Sequence, residues 1–292
     1  MDVQVKNFSE LVRREWGYPK LCEEKLQTQL HLRAPNIDVT GGTIRREDID
    51  LLAQYPEVRS VSVSGLRQDT FVYFVQRYGR QLRYIDFFKN KLVEDWSLLG
   101  TLPELEGMHF FHNQRITSLW DMRGNTALKA LVIEDFTRLH DLSGLETAPA
   151  LEWFSIGDAV WSTTVIDSLS CCRGTGIRRL GFSGKAIRDM DLSFLREMPA
   201  LEMFDFAPNL LTTEQVAWIV GNGPHLKGRS LASAIKITWH GKTDEGYDVP
   251  AVMVVGKRKP TLPVEGNEQR IQRYLQRFEA AVEQYRGQPF PI

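Results

Sequence analysis

A short apolar phrase returns along this chain every 23 to 26 residues. It reads PEVRSVSVSGL from Pro56, LRYIDFFKN from Leu82, LEGMHFFHN from Leu105, LKALVIED from Leu128 and LEWFSIGD from Leu151. It continues as IRRLGFSG from Ile177, LEMFDFAPN from Leu201 and a degenerate HLKGRSLA from His225. The first apolar positions fall at 58, 82, 105, 128, 151, 177, 201 and 226. Within a phrase the first, fourth and sixth positions are apolar, as in Leu82, Ile85 and Phe87 or Leu128, Leu131 and Ile133. Alternation at the fourth and sixth is the period-two signal of a short strand with one buried face. Self-similarity at this period predicts a solenoid, in which each unit buries its apolar side only by stacking on its neighbours.

The rest of each unit agrees. Proline stands two residues before the first apolar position at Pro56, Pro103, Pro149, Pro199 and Pro224. Its fixed φ and missing N–H suit the turn that ends one coil before the next strand. Asparagine closes the phrase at Asn90, Asn113 and Asn209, where its amide can bond backbone groups as the chain leaves the strand. Phe136, Ala159 and Lys185 occupy the equivalent place in other units, which predicts looser turns there. Further on come apolar residues three apart: Trp96 and Leu99, Leu119 and Met122, Leu142 and Leu145, Leu192 and Leu195, Val216 and Ile219. That spacing suits a short helical or 3₁₀ turn.

Period, proline, asparagine and alternation together make the chain resemble leucine-rich repeat proteins. The stretch HDLSGLETAPALEWFSIGD (140–158) is most similar to the short repeats of bacterial internalin-type proteins. The resemblance implies an α/β solenoid: a curved parallel sheet with short helical or 3₁₀ segments on its convex side. It also implies molecular recognition, commonly of another protein, and no shared catalytic residue.

Three segments follow from this reading: a cap region at 1–55, repeats at 56–232 and a C-terminal capping module at 233–292. The first contains FSELVRREW, a candidate helix, an irregular strand around Leu30 and Leu32, and a helical pattern over 44–55. In the last, AIKITWH and VPAVMVVGK predict two strands around a GKTDEGYD turn. NEQRIQRYLQRFEAAVEQYRG predicts an amphipathic helix with Ile271, Tyr274, Leu275, Phe278, Val282 and Tyr285 on one face, capped by Asn267 and closed by Gly287.

Charge and cysteine usage narrow the function classes. The 36 basic and 37 acidic residues of this 292-residue chain give a net charge of −1, which argues against a global attraction to nucleic acid or anionic lipid. The charged start, MDVQVKNFSELVRREW, lacks the apolar core of a secretory signal, and no run is long enough to span a bilayer. Cys22, Cys171 and Cys172 form no disulfide framework. The expectation is a cytoplasmic protein.

If the first, fourth and sixth positions point inward, the third, fifth and seventh line the concave face. The third-position column is Ser60, Tyr84, Gly107, Ala130, Trp153, Arg179 and Met203. The fifth is Ser62, Asp86, His109, Val132, Ser155, Gly181 and Asp205, and the seventh Ser64, Phe88, Phe111, Glu134, Gly157, Ser183 and Ala207. Large aromatics where the repeat has no core use for them are interface anchors. The candidate partner-binding residues are therefore Tyr84, Asp86, Phe88, His109, Phe111, Trp153, Arg179, Met203 and Asp205.

Asp86 and His109 are the best acid–base pair, and Ser62 supplies the third residue type of a hydrolytic triad. The order is wrong, because the carboxylate lies between serine and histidine. His109, His112 and His140 with Glu134 and Asp135 lack paired ligand spacings, so no metal is expected. Cys171–Cys172 lacks the CxxC spacing of a redox centre. Lys257, Arg258 and Lys259 read as a solvated strand end, and GGTIRRED is no phosphate loop. The expected function is non-catalytic recognition of a protein through the concave face, without cofactor, nucleic acid or membrane. The alternatives are an enzyme with a site near Asp86 and His109 or in the C-terminal module, and carbohydrate or peptide recognition.

Overall fold

The computed structural model describes residues 30–32, 42–160, 163–240 and 248–291. The FSELVRREW helix and most of the GKTDEGYD turn lie outside the described residues. Ten strands occupy the first part of the chain: β1 (Leu30–Leu32), β2 (Ser60–Ser64), β3 (Tyr84–Phe88), β4 (Gly107–Asn113), β5 (Ala130–Phe136), β6 (Trp153–Gly157), β7 (Val165–Ile166), β8 (Arg179–Ser183), β9 (Ala186–Ile187) and β10 (Met203–Phe206). Eight of them form one all-parallel sheet in the order β1-β2-β3-β4-β5-β6-β8-β10. The two-residue strands β7 and β9, which the periodicity does not announce, pair with each other in a separate parallel ladder.

Parallel neighbours need a crossover, and here it is short. Helix α1 (Arg46–Ile49) runs directly into a 3₁₀ turn at Asp50–Gln54, so the helical pattern over 44–55 is realised as two tighter pieces. Helix α2 (Gln68–Tyr78) joins β2 to β3, and 3₁₀ turns at Ser97–Thr101, Leu145–Thr147, Ser170–Cys172 and Ser193–Glu197 serve later units. Helix α3 (Thr213–Asn222) follows β10, its Thr212 hydroxyl accepting from the Gln215 N–H at 3.2 Å. Of the expected pairs, Trp96–Leu99, Leu142–Leu145 and Leu192–Leu195 are buried at 3₁₀ turns and Val216–Ile219 is buried in α3, whereas Leu119–Met122 lies in no helical turn and Leu119 is half-buried.

One face of the large sheet is core. Every fourth and sixth position from Val61 and Val63 to Phe204 and Phe206 is buried, none more than 6% exposed. Aromatics that replace leucine continue the core from unit to unit. Phe87 and Phe110 stack at 4.9 Å, Trp96 lies 4.8 Å and 5.0 Å from them, and Phe136 meets Phe110 edge-on at 5.8 Å. Such pairs add specific geometry to the large area they bury.

Asparagine works as expected at two places. Asn90 Nδ2 donates to the Val63 carbonyl while its Oδ1 accepts from Leu66 N–H, both at 2.9 Å. Asn113 Nδ2 donates to the Asn90 and Val93 carbonyls and its Oδ1 accepts from Arg115 and Ile116. Each is preceded by a left-handed residue, Lys89 (φ 55°) or His112 (φ 61°), and Asp135 (φ 55°) repeats the bend before Phe136. The turn at Phe136 is not loose: Phe136 is buried, and the Asp135 carboxylate accepts from the N–H groups of Ala159 and Val160. Asn209 departs from the rule, standing exposed just after Pro208. Asn125, fully buried, adds an unforeseen brace between the Leu99 and Leu102 carbonyls and Trp120 Nε1.

The C-terminal part holds an antiparallel sheet of β11 (Ala234–His240), β12 (Asp248–Val254) and β13 (Thr261–Pro263), then helix α4 (Glu268–Tyr285). Two strands were expected and the third completes them. Phe278 of α4 is buried, and its expected companions on that face are half-buried. Gly287 closes the helix at φ 72°, whereas Asn267 makes no side-chain cap. The segment docks on α3: Trp218 Nε1 donates to the Gln288 carbonyl at 2.8 Å, and Phe290 meets the Trp218 ring edge-on at 5.0 Å. A Cβ on Gly221 would lie 2.8 Å from the Val282 carbonyl oxygen, so the close approach of α3 and α4 needs glycine there.

Candidate functional site

The sheet face opposite the core carries the three columns in the expected register. Ser60, Tyr84, Gly107, Ala130, Trp153, Arg179 and Met203 pair strand by strand. Ser62, Asp86, His109, Val132, Ser155, Gly181 and Asp205 pair likewise. So do Ser64, Phe88, Phe111, Glu134, Gly157 and Ser183.

Over β2 to β5 these side chains form one hydrogen-bonded row. Ser62 Oγ donates to Asp86 Oδ2 at 2.6 Å, Asp86 Oδ1 faces His109 Nδ1 at 2.9 Å, and His109 Nε2 faces Glu134 Oε2 at 3.1 Å. His109 is only 7% exposed. Burial alone would favour a neutral ring, but the hydrogen bonds to Asp86 and then Glu134 overcome it and raise the pKa to about 9. At neutral pH His109 is therefore an imidazolium donating from both nitrogens. Such a ring has no lone pair to take a proton from serine, and the carboxylate rather than the imidazole stands beside Ser62. The row can hold charge and fix strands; it does not have the order of a nucleophile–base–acid relay.

Two expected anchors are not exposed. Tyr84 is 2% and Trp153 5% exposed. For Tyr84 the reason lies in its lateral neighbour, the small Gly107. A Cβ on Gly107 would sit 2.9 Å from Tyr84 Cδ1, so the ring lies down over the next strand, and its hydroxyl donates to Glu106 Oε2 at 2.7 Å. Phe88 and Phe111 are half-buried and stack at 5.2 Å, with Lys89 Nζ 5.3 Å from the Phe88 ring centre. Arg179 and Met203 are half-buried, and Asp205 is exposed, accepting from Arg229 N–H at 3.2 Å.

The three histidines go to three places. His112 sits on the left-handed bend with its pKa lowered chiefly by burial and then by Lys91. His140 Nδ1 meets Asp167 Oδ2 at 2.7 Å, and Asp167 also accepts from Arg188. Among the described residues no group of three or more His, Cys, Asp or Glu side chains is placed to hold a metal ion. Cys172 is buried, and its neighbour Cys171 together with burial pushes the thiol pKa well up, which keeps it protonated and unreactive. No helix among the described residues is long and apolar enough to cross a membrane.

Two features go beyond the sequence reading. Glu134, grouped there with His109 only as part of a rejected metal set, is the second carboxylate on His109, reached diagonally from the seventh column of the next strand. From β3 onward the second positions form a charged column, Arg83, Glu106, Lys129, Glu152, Arg178, Glu202 and Lys227, whose signs alternate. Arg83 contacts Glu106 and Arg178 contacts both Glu152 and Glu202. No protein-family model matches the chain, and no curated protein matches it.

Proposed function

We propose that the chain is a leucine-rich repeat solenoid, closest to the internalin type, that recognises another protein through the concave face of its parallel sheet. Its 56–232 segment forms the repeats, and its ends act as caps. One observation carries the reading: two columns of side chains stay in register from β2 to β10 and a third from β2 to β8, which gives one continuous surface rather than a pocket. Continuous, ordered surfaces are what repeat proteins offer to a macromolecule. The non-catalytic part of the proposal rests on His109, whose two nitrogens are both committed to carboxylates. A cytoplasmic location is part of the same reading, supported by the free thiols of Cys171 and Cys172 among the described residues.

The contact residues are those the register leaves toward solvent: Asp205 first, with Arg179, Met203 and the Phe88–Phe111 stack beside it. The test is differential capture. Immobilised wild-type chain and a Met203→Ala/Asp205→Ala variant are exposed to an extract of the native host, with melting temperature measured on both. A protein retained by the wild type and lost from an equally stable variant is the expected result. Equal retention by both, or no retained protein, overturns the concave-face assignment.

A further inference from the structure

The C-terminal sheet and helix carry a strip of exposed cations, Lys257, Arg258, Lys259, Arg270, Arg273 and Arg277. The turn between β12 and β13 presents Lys257, Arg258 and Lys259, all exposed. It is held rigidly: Gly256 N–H donates to the Pro208 carbonyl at 2.8 Å and Lys257 N–H to that of Leu211 at 2.6 Å. Lys259 Nζ lies 5.8 Å from the Tyr274 ring centre, which sets the turn against α4. On α4, Arg270, Arg273 and Arg277 are exposed at spacings of three and four, so they share the flank that Tyr274 borders. Glu279 and Glu283 fall on the opposite flank, where Glu283 pairs with Arg286 at 2.8 Å.

Several of these placements cost stability. Arg270 stands in the first turn of α4, where the helix dipole disfavours a cation. Arg270 and Arg273, and Arg273 and Arg277, are like charges at i,i+3 and i,i+4, and the uncharged Gln269, Gln276, Ala280 and Ala281 occupy the places where a carboxylate would neutralise them. Arg258 adopts φ 62°, a left-handed conformation that glycine or asparagine takes more readily. Among the described residues none of these cations forms an ion pair, while Arg83, Arg115, Arg178 and Arg188 on the repeats all do.

We propose that this strip is a second docking surface, which takes an extended, acidic segment of a protein chain. Guanidinium groups present planar donor forks that match carboxylates. The strip is one helix flank and one turn wide, a width that a single extended chain covers, and the opposite flank of the same helix is acidic, with Glu279 and Glu283. The flank also lacks exposed aromatic rings on which bases would stack: Tyr274 is half-buried beneath Lys259. This inference is independent of the reading of the repeat face.

Fluorescence anisotropy of a labelled Glu/Asp-rich peptide tests it on the full chain. Binding should weaken steeply between about 50 and 200 mM salt, as screening of exposed charges requires. Arg270→Gln/Arg273→Gln/Arg277→Gln should weaken it at least about tenfold, as should Lys257→Gln/Arg258→Gln/Lys259→Gln, because both remove steering charge. Glu279→Gln/Glu283→Gln should bind as well as wild type or better. The triple arginine variant should melt no earlier than wild type, since it loses like-charge neighbours; an earlier melt would make the arginines structural and overturn the proposal. No binding at low salt, or equal binding by the triple variants, also overturns it. Tighter binding of a labelled DNA or RNA duplex than of the peptide would overturn the choice of partner.

Discussion

Across β2 to β5 the face opposite the core closes over itself, whereas across β8 and β10 the same columns open to solvent. In the first half Ser62, Asp86, His109 and Glu134 complete one another, and the Tyr84 ring fills the space above Gly107. In the second half the corresponding places hold Gly181, Arg179, Met203 and Asp205, of which Asp205 is exposed and Arg179 and Met203 are half-buried. One register rule generates both halves. The difference comes from side-chain size and complementarity between neighbours, which decide whether a column becomes internal structure or remains available surface.

The sharpest way to break the comparison is to remove the ring at the centre of the closed half. His109→Ala leaves Asp86 and Glu134 facing each other without their cation, and both are largely shielded from water. Losing one partner of a buried charged set costs about 3–5 kcal/mol. Urea denaturation should show a loss of that size; a loss below about 1 kcal/mol would mean the row is a surface ion pair with little structural weight.

Acidity offers a gentler handle on the same ring. Folding raises the His109 pKa from 6.5 to about 9, so the native state holds this proton more tightly than the unfolded chain. Its contribution is therefore complete below about pH 6.5 and is lost as the pH rises through about 9. At about 1.4 kcal/mol for each pH unit by which the proton affinity rises, the loss across that window is roughly 3 kcal/mol. Glu134→Gln removes one supporting carboxylate and should move the decline to lower pH. Denaturation midpoints from pH 6 to pH 10, with NMR titration of the imidazole, measure both.

Gly107→Ala is smaller again. The added methyl would stand 2.9 Å from Tyr84 Cδ1, and the ring cannot swing aside freely because its hydroxyl is bonded to Glu106. Overpacking of this kind costs about 1–3 kcal/mol. An unchanged stability, measured by thermal or urea denaturation, would show that the Tyr84 ring is free to rise and that the closed half is adaptable.

The boundary between what the sequence announces and what it hides follows the same division. Strand positions and register were legible because the fourth and sixth positions must alternate to bury one face, and Leu131 and Ile133 or Phe154 and Ile156 obey that rule without help from elsewhere. The burial of Tyr84 was not legible, since it depends on Gly107 a whole repeat away. Helix α2 was readable but overlooked: Phe71, Phe74, Val75 and Tyr78 follow helical spacing between two strands. The pair β7 and β9 has no such signal, because two residues carry no period. The bond between Glu134 and His109 was not foreseen for a different reason: it runs diagonally, and column-by-column reading compares only direct neighbours.

The smallest effect discriminates best between the halves, because it concerns a residue in the same column as His109. Asp205 stands in the fifth position of β10, exposed, and accepts a single backbone hydrogen bond from Arg229 at 3.2 Å. A carboxylate in water keeps most of its hydration, so removing it leaves no stranded charge and no cavity. Asp205→Ala should therefore change stability by no more than about 0.5 kcal/mol, as for other surface substitutions. Set beside the loss expected for His109→Ala, this is a several-fold contrast between two residues that the repeat treats as equivalent. If Asp205→Ala instead costs 2 kcal/mol or more, an amount typical of a buried polar group left unpaired, the open half is closed as well. The surface on which the concave-face proposal depends would then have to be sought on other columns.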